Sequence, residues 1–127
     1  GEPKSRIVLV HGWTGSHKVW LSTAEWLQRC GHDVLLLDLL GWAASNTADN
    51  ANALLSAPLY AKQLRHCIER VGWGHHTIVL CGKSLGAAVS QHYSLEHHSH
   101  VGKLILLCPA GASERSLIML PNIASLL

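Results

Sequence analysis

The chain has 127 residues, with ten Lys and Arg against eight Asp and Glu, so its formal charge is only +2 and no basic cluster speaks for a nucleic-acid partner. Nearly half of it (48%) is apolar and only 14% is charged, a composition that suits a buried sheet and excludes a disordered chain. No apolar stretch approaches the roughly 20 residues needed to span a membrane, and Gly1-Glu2-Pro3-Lys4 does not read as a secretory signal.

Arg6-Ile7-Val8-Leu9-Val10 is, after its leading arginine, a continuous apolar run, which suits a parallel strand covered on both faces. His11-Gly12-Trp13-Thr14-Gly15 follows, where glycines allow a sharp turn and leave backbone amides at the strand's carboxyl end. Residues 18–29 place Val19, Trp20, Ala24 and Leu27 at helical spacing, and Gly31 ends the helix. Trp20 and Trp26 are expected to pack it onto the sheet. Residues 34–39 read as the next buried strand. Residues 42–56, rich in Ala, Asn and Ser, read as a loop. Residues 58–71 read as a helix with Pro58 near its first turn, closed by Gly72-Trp73-Gly74. Then come a strand over 77–81, a glycine-flanked turn, a helix to about residue 97 and a fourth strand over 103–107. This alternation implies parallel strands joined by right-handed crossovers. A ligand is then expected at the carboxyl ends of the strands, the edge where His11, Asp38 and Ser84 all fall. No internal repeat or low-complexity segment interrupts the pattern.

Gly82-Lys83-Ser84-Leu85-Gly86, between a strand and a helix, has the form and context of a nucleophile elbow. Such a turn is too tight for side chains beside the serine, hence glycine on both sides. It holds Ser84 in a strained conformation costing on the order of 1–3 kcal/mol, with its hydroxyl clear of the sheet. The Leu85 amide, opening the helix, is placed to meet an oxyanion. Acyl transfer needs a second donor opposite it, and the Trp13 amide is the candidate; losing one such donor typically costs about 3–4 kcal/mol of transition-state stabilisation. The plainer readings are a serine capping a helix and a glycine-rich strand-to-helix loop.

Three motifs in order resemble the amino-terminal half of an α/β-hydrolase-fold protein of the lipase, esterase and epoxide hydrolase superfamily. They are His11-Gly12, the segment Asp38-Leu39-Leu40-Gly41-Trp42-Ala43-Ala44-Ser45, and Gly82 to Gly86. The resemblance covers residues from about 6 to 111, most of the chain. The middle motif departs where Ala43 replaces a usual glycine and Leu40 a common proline, and Lys83 stands where a histidine is frequent. The resemblance implies a three-layer αβα parallel-sheet fold, truncated before its last strands. It implies Ser84 as catalytic nucleophile, the amides of Trp13 and Leu85 as oxyanion hole, and His11, Gly12, Gly82 and Gly86 as the supporting loops. The reaction it implies is ester, thioester or amide hydrolysis of a small-molecule acyl substrate; no sequence feature calls for a cofactor or a metal. Asp38 would be a loop residue. A serine in the elbow favours acyl transfer over epoxide hydrolysis, which uses an aspartate there, although the fold also hosts lyases, carbon–carbon hydrolases and haloperoxidases.

A serine hydroxyl needs a base, and in this fold the acid and then the histidine follow the nucleophile. After Ser84 the carboxylates are Glu96, on or past the elbow helix, and Glu114, beyond the fourth strand. His92, His97, His98 and His100 lie on or after that helix, too far to serve Ser84; His75 and His76 precede the strand at its other end. The histidine pairs lack typical metal-ligand spacing and read as surface residues. The acid and histidine are therefore expected from outside this chain. Residues 1–111 read as the core. Residues 112–127, with the apolar Leu117-Ile118-Met119-Leu120, read as the start of a cap or lid or as a segment buried by a companion chain or oligomer. The opposing possibility is a non-catalytic scaffold or assembly subunit that retains the elbow as a relic. Cys30, Cys67, Cys81 and Cys108 show no paired spacing and read as reduced thiols, which favours the cytoplasm or an organelle matrix. Nothing physical accounts for five Trp beside no Phe.

Overall fold

A computed structural model describes residues 1–13, 15–41 and 56–108. Strands and helices alternate through them: β1 (Arg6–Val10), α1 (Leu21–Arg29), β2 (Asp33–Leu37), α2 (Ala57–Arg70), β3 (Ile78–Lys83), α3 (Leu85–Glu96) and β4 (Val101–Leu107). A 3-10 turn, His17–Trp20, leads into α1, with the Ser16 hydroxyl accepting from the Lys18 amide at its start. The helix read over 18–29 thus divides into a tighter first turn and a shorter α-helix.

The glycines predicted to stop helices do so. Gly31 (φ 92°) and Gly72 (φ 80°) take the left-handed conformation that L side chains avoid. Beyond them His32 N–H reaches back to Leu27 O (3.1 Å) and Trp73 N–H to Ile68 O (3.0 Å), satisfying carbonyls the helix ends would leave orphaned. Ser56 caps α2, its hydroxyl accepting from Leu59, and Pro58 sits in the first turn, where no amide is missed.

All strand pairs are parallel, in the order β2-β1-β3-β4. Val10 lies opposite both Leu37 and Gly82, and Gly82 opposite Leu106, so the carboxyl ends of the strands lie level. Side-chain alternation splits the core into two layers. Val8, Val10, Leu37 and Leu80 face α2 and α3, meeting Tyr60, Leu64, Ile68, Leu85, Val89 and Tyr93. Ile7, Leu9 and Cys81 face the other way, against Trp20 and Leu27. The expected three layers are therefore present.

Trp26 corrects one expectation. Trp20 is buried at 8% exposure and packs on the sheet, but Trp26 is 60% exposed on the outer face of α1. Ala24 and Leu27 supply that helix's inward contacts; Trp26, two positions after Ala24, points elsewhere. Strand bounds move too. β2 ends at Leu37 rather than 39, and β3 runs on to Lys83. β4 starts at Val101, taking in Gly102, where a Cβ would crowd Thr77. Cys108 stands just past β4, exposed, at φ 45°. All four cysteines are free, and burial pushes the thiols of Cys67 and Cys81 up. Among the described residues no helix is long and apolar enough to cross a membrane. The loop read over 42–56 falls, except for Ser56, outside the described residues, as does 112–127.

Candidate active site

The site grows from the level ends of β1, β2 and β3. Ser84 sits between β3 and α3 with φ 54° and ψ −115°, a conformation an L residue adopts only under constraint. Its backbone is held on three sides: its N–H donates to Leu107 O of β4 (2.9 Å), while its carbonyl accepts from Ala87 (3.0 Å) and Ala88 (3.2 Å). Its side chain makes no capping bond to α3. A serine placed merely to cap a helix would make that bond, so the capping reading fails. Leu85 is the first helical residue, and its amide has no intrahelical acceptor.

The flanking glycines are required by close packing. A Cβ on Gly82 would overlap the carbonyl of Gly86 and meet the hydroxyl of Ser90; one on Gly86 would overlap the carbonyls of Val10 and His11. The first turn of α3 thus presses on the ends of both β3 and β1. Ser90, fully buried, closes the turn by donating to Gly86 O at 2.7 Å. On the other side, a Cβ on Gly12 would come within 3.0 Å of Lys83 O and 3.1 Å of Ser84 Cβ. The loop after β1 therefore lies directly against the elbow, and Trp13, its side chain exposed, is next along it.

His11 is fully buried at 0% exposure. The Leu39 amide donates to its Nε2 (3.0 Å), so Nδ1 carries the proton and donates to Gly12 O (2.8 Å). Both ring nitrogens are spent on backbone, and the ring ties the loop after β1 to the exit of β2. Asp38 is a loop brace too. Its Oδ1 accepts from the His17 amide (2.7 Å), and His17 Nδ1 lies 2.9 and 3.0 Å from its two oxygens.

The remaining histidines stand apart from this edge. His75, His76, His97, His98 and His100 line a cleft by the amino-terminal ends of β3 and β4. His100 is engaged there by the Tyr93 hydroxyl (2.7 Å) and donates to Trp73 O (3.1 Å). Glu96 pairs with His92 on α3 (2.9 Å), and Glu114 lies outside the described residues. Among the described residues no group of three or more His, Cys, Asp or Glu is placed to hold a metal ion. Sequence reasoning missed the His17–Asp38 pair and the α2 side chains that grip the same segment. Gln63 donates to Asp38 O (2.8 Å) and accepts from Leu40 (2.9 Å), and the Tyr60 hydroxyl donates to Leu40 O (3.1 Å). No periodicity announces such partners; the parallel pairing of β1 with β2 brings His17 to Asp38, and the packing of α2 on the sheet brings Gln63 and Tyr60 to the same segment.

A parallel αβα sheet with a strained serine on a glycine-flanked strand-to-helix turn defines the class. The chain belongs to the alpha/beta hydrolase fold family, whose model matches residues 5–124. Among relatives, it is 28% identical over 113 residues to monoacylglycerol lipase abhd6-A of Xenopus laevis, covering 87% of this chain and 33% of that protein. It is 32% identical over 117 residues to lipase LipV of Mycobacterium tuberculosis, covering 88% and 40%. Among solved structures, a probable hydrolytic enzyme from Pseudomonas aeruginosa superposes with a TM-score of 0.81 at 24% identity, over 91% of this chain and 36% of the other. An esterase from Exiguobacterium antarcticum does so with 0.76 at 23%, over 86% and 39%; these two likenesses show the fold. The chain spans between a third and two fifths of the two relatives' length.

Proposed function

We propose that this chain supplies the nucleophile and the oxyanion hole of a serine hydrolase acting on a small acyl substrate, an ester, thioester or amide. The observation that carries the reading is Ser84 itself. Positive φ is tolerated at a non-glycine residue at a stability cost of order 1–3 kcal/mol, and here the hydroxyl is not used to cap the helix it precedes. The relatives named as lipases support ester hydrolysis in particular.

In this mechanism Ser84 Oγ attacks the substrate carbonyl carbon and yields its proton to a histidine. The carbonyl π-pair moves onto oxygen, where the amides of Leu85 and Trp13 receive the charge. Collapse expels the alcohol, thiol or amine with the histidine's proton and leaves an acyl group on Ser84. Water, deprotonated by the same histidine, then releases the acid and restores the serine. In this reading the histidine and its acid partner come from segments outside this chain: both nitrogens of His11 are committed to Gly12 and Leu39, His17 Nδ1 is held by Asp38, and the histidines of α3 and of the cleft by the amino-terminal ends of β3 and β4 stand apart from Ser84. Residues 1–111 form the core in this proposal, and residues 112–127 begin a cap or pack against a companion segment. Four free thiols suit a reducing compartment, the cytoplasm or an organelle matrix.

Fluorophosphonate labelling of the protein from its native source, with the adduct mapped by mass spectrometry, tests this. Labelling at Ser84, absent in Ser84→Ala, is expected. An intact, folded protein that takes no label at Ser84 refutes the catalytic reading and leaves a scaffold built on a hydrolase remnant.

A further inference from the structure

The loop carrying the proposed second oxyanion donor hangs from β2. Its near end is His11, whose Nε2 accepts from Leu39 at 3.0 Å. Its far end is His17, whose amide and Nδ1 both reach the carboxylate of Asp38, at 2.7 Å and 2.9 Å. Asp38 and Leu39 are consecutive, so one short stretch of chain holds both ends. That stretch is itself gripped from α2 by Gln63, through Asp38 O and Leu40 N, and by Tyr60 through Leu40 O. Between the two anchors lie Gly12 and Gly15, linked by Gly15 N–H donating to Gly12 O (3.1 Å). A five-residue span with two glycines has wide conformational freedom unless its ends are fixed.

We propose that His17 and Asp38 are a positioning pair for the oxyanion loop, setting the rate of turnover rather than substrate affinity. The inference rests on the acyl-transfer reading of Ser84. The Asp38 side chain is 8% exposed, against 35% for His17. A nearly buried carboxylate forms charge-assisted bonds stronger than neutral ones, so the clasp holds where a surface pair would exchange with water. The Trp13 amide meets negative charge only in the transition state, and an error in its placement therefore falls on the chemical step.

The test uses the protein expressed together with the segments that complete its fold, with p-nitrophenyl acetate as probe. His17→Ala removes the ring bond. His17→Asn restores a side-chain N–H near the place of Nδ1. His17→Ala is expected to lower kcat about tenfold with KM changed less than about twofold, as misplacement of a reacting group does. His17→Asn is expected to recover most of the loss. Thermal midpoints separate both from misfolding. A kcat for folded His17→Ala within about twofold of wild type overturns the inference, given that each tenfold in rate is only about 1.4 kcal/mol. So does a His17→Asn no better than His17→Ala, or a loss that falls on KM alone. Wild-type protein without hydrolysis that depends on Ser84 overturns the acyl-transfer reading instead and removes the basis for this one. A ring-nitrogen NMR spectrum then still reads the clasp itself, since a His17 protonated only at Nε2 contradicts a bond from Nδ1 to Asp38.

Discussion

Ser84→Gly should stabilise the protein relative to Ser84→Ala, reversing the usual order of those residues. Both variants lose the hydroxyl, so their difference isolates the backbone. At an ordinary position glycine is less stable than alanine by about 0.5–1 kcal/mol, because the unfolded chain gains freedom. Ser84 is not ordinary: at φ 54° and ψ −115° a Cβ is under strain, and three backbone bonds through its own N–H and carbonyl keep it there. Strain of this kind is worth on the order of 1–3 kcal/mol. Subtracting the entropic cost leaves a net gain for glycine of up to about 2.5 kcal/mol over alanine. For a protein of this size that is a rise of several degrees in Tm, about 2–8 °C per kcal/mol. Urea titrations followed by tryptophan fluorescence, with equal slopes for the two variants, measure the difference. A Ser84→Gly variant less stable than Ser84→Ala would show that the turn is relaxed and would remove the strain argument for the elbow.

Gly82→Ala and Gly86→Ala should each destabilise by about 3 kcal/mol or more, at the upper end of overpacking costs, because the added carbon meets backbone carbonyls rather than flexible side chains; chemical denaturation checks this, and fluorophosphonate labelling should be lost. Trp20→Ala should cost about 3–5 kcal/mol and Trp26→Ala less than about 0.5 kcal/mol, since one is buried and the other is 60% exposed; paired urea melts decide it. Burial raises the pKa of Tyr93 above its ordinary value of 10.0. The unfolded chain then ionises first, so stability is full below about pH 10 and falls as the pH rises beyond it, by at most about 1.4 kcal/mol per pH unit. Tyr93→Phe should remove that part of the alkaline loss, measured as the difference between the two proteins' stabilities from pH 9 to 11.5 (on the order of one unit either side of the tyrosine range).

What the sequence determined by itself is local. Ile7 to Val10 read as a strand buried on both faces, Gly31 and Gly72 as helix ends, and the glycines on either side of Ser84 as a turn too tight for side chains. These follow from periodicity and from φ requirements, which are written within a few consecutive residues. The edge on which His11, Asp38 and Ser84 gather was also legible, because parallel alternation puts every strand's carboxyl end on one side. The tertiary structure decided the rest. It put Trp26 in solvent, spent both nitrogens of His11 on backbone, and joined His17 to Asp38 across 21 positions. The His11 and His17 contacts depend on β1 lying between β2 and β3 with Val10 level with Leu37 and Gly82. Alternation of strands and helices is equally compatible with other strand orders, so the spacing of residues along the chain does not contain them.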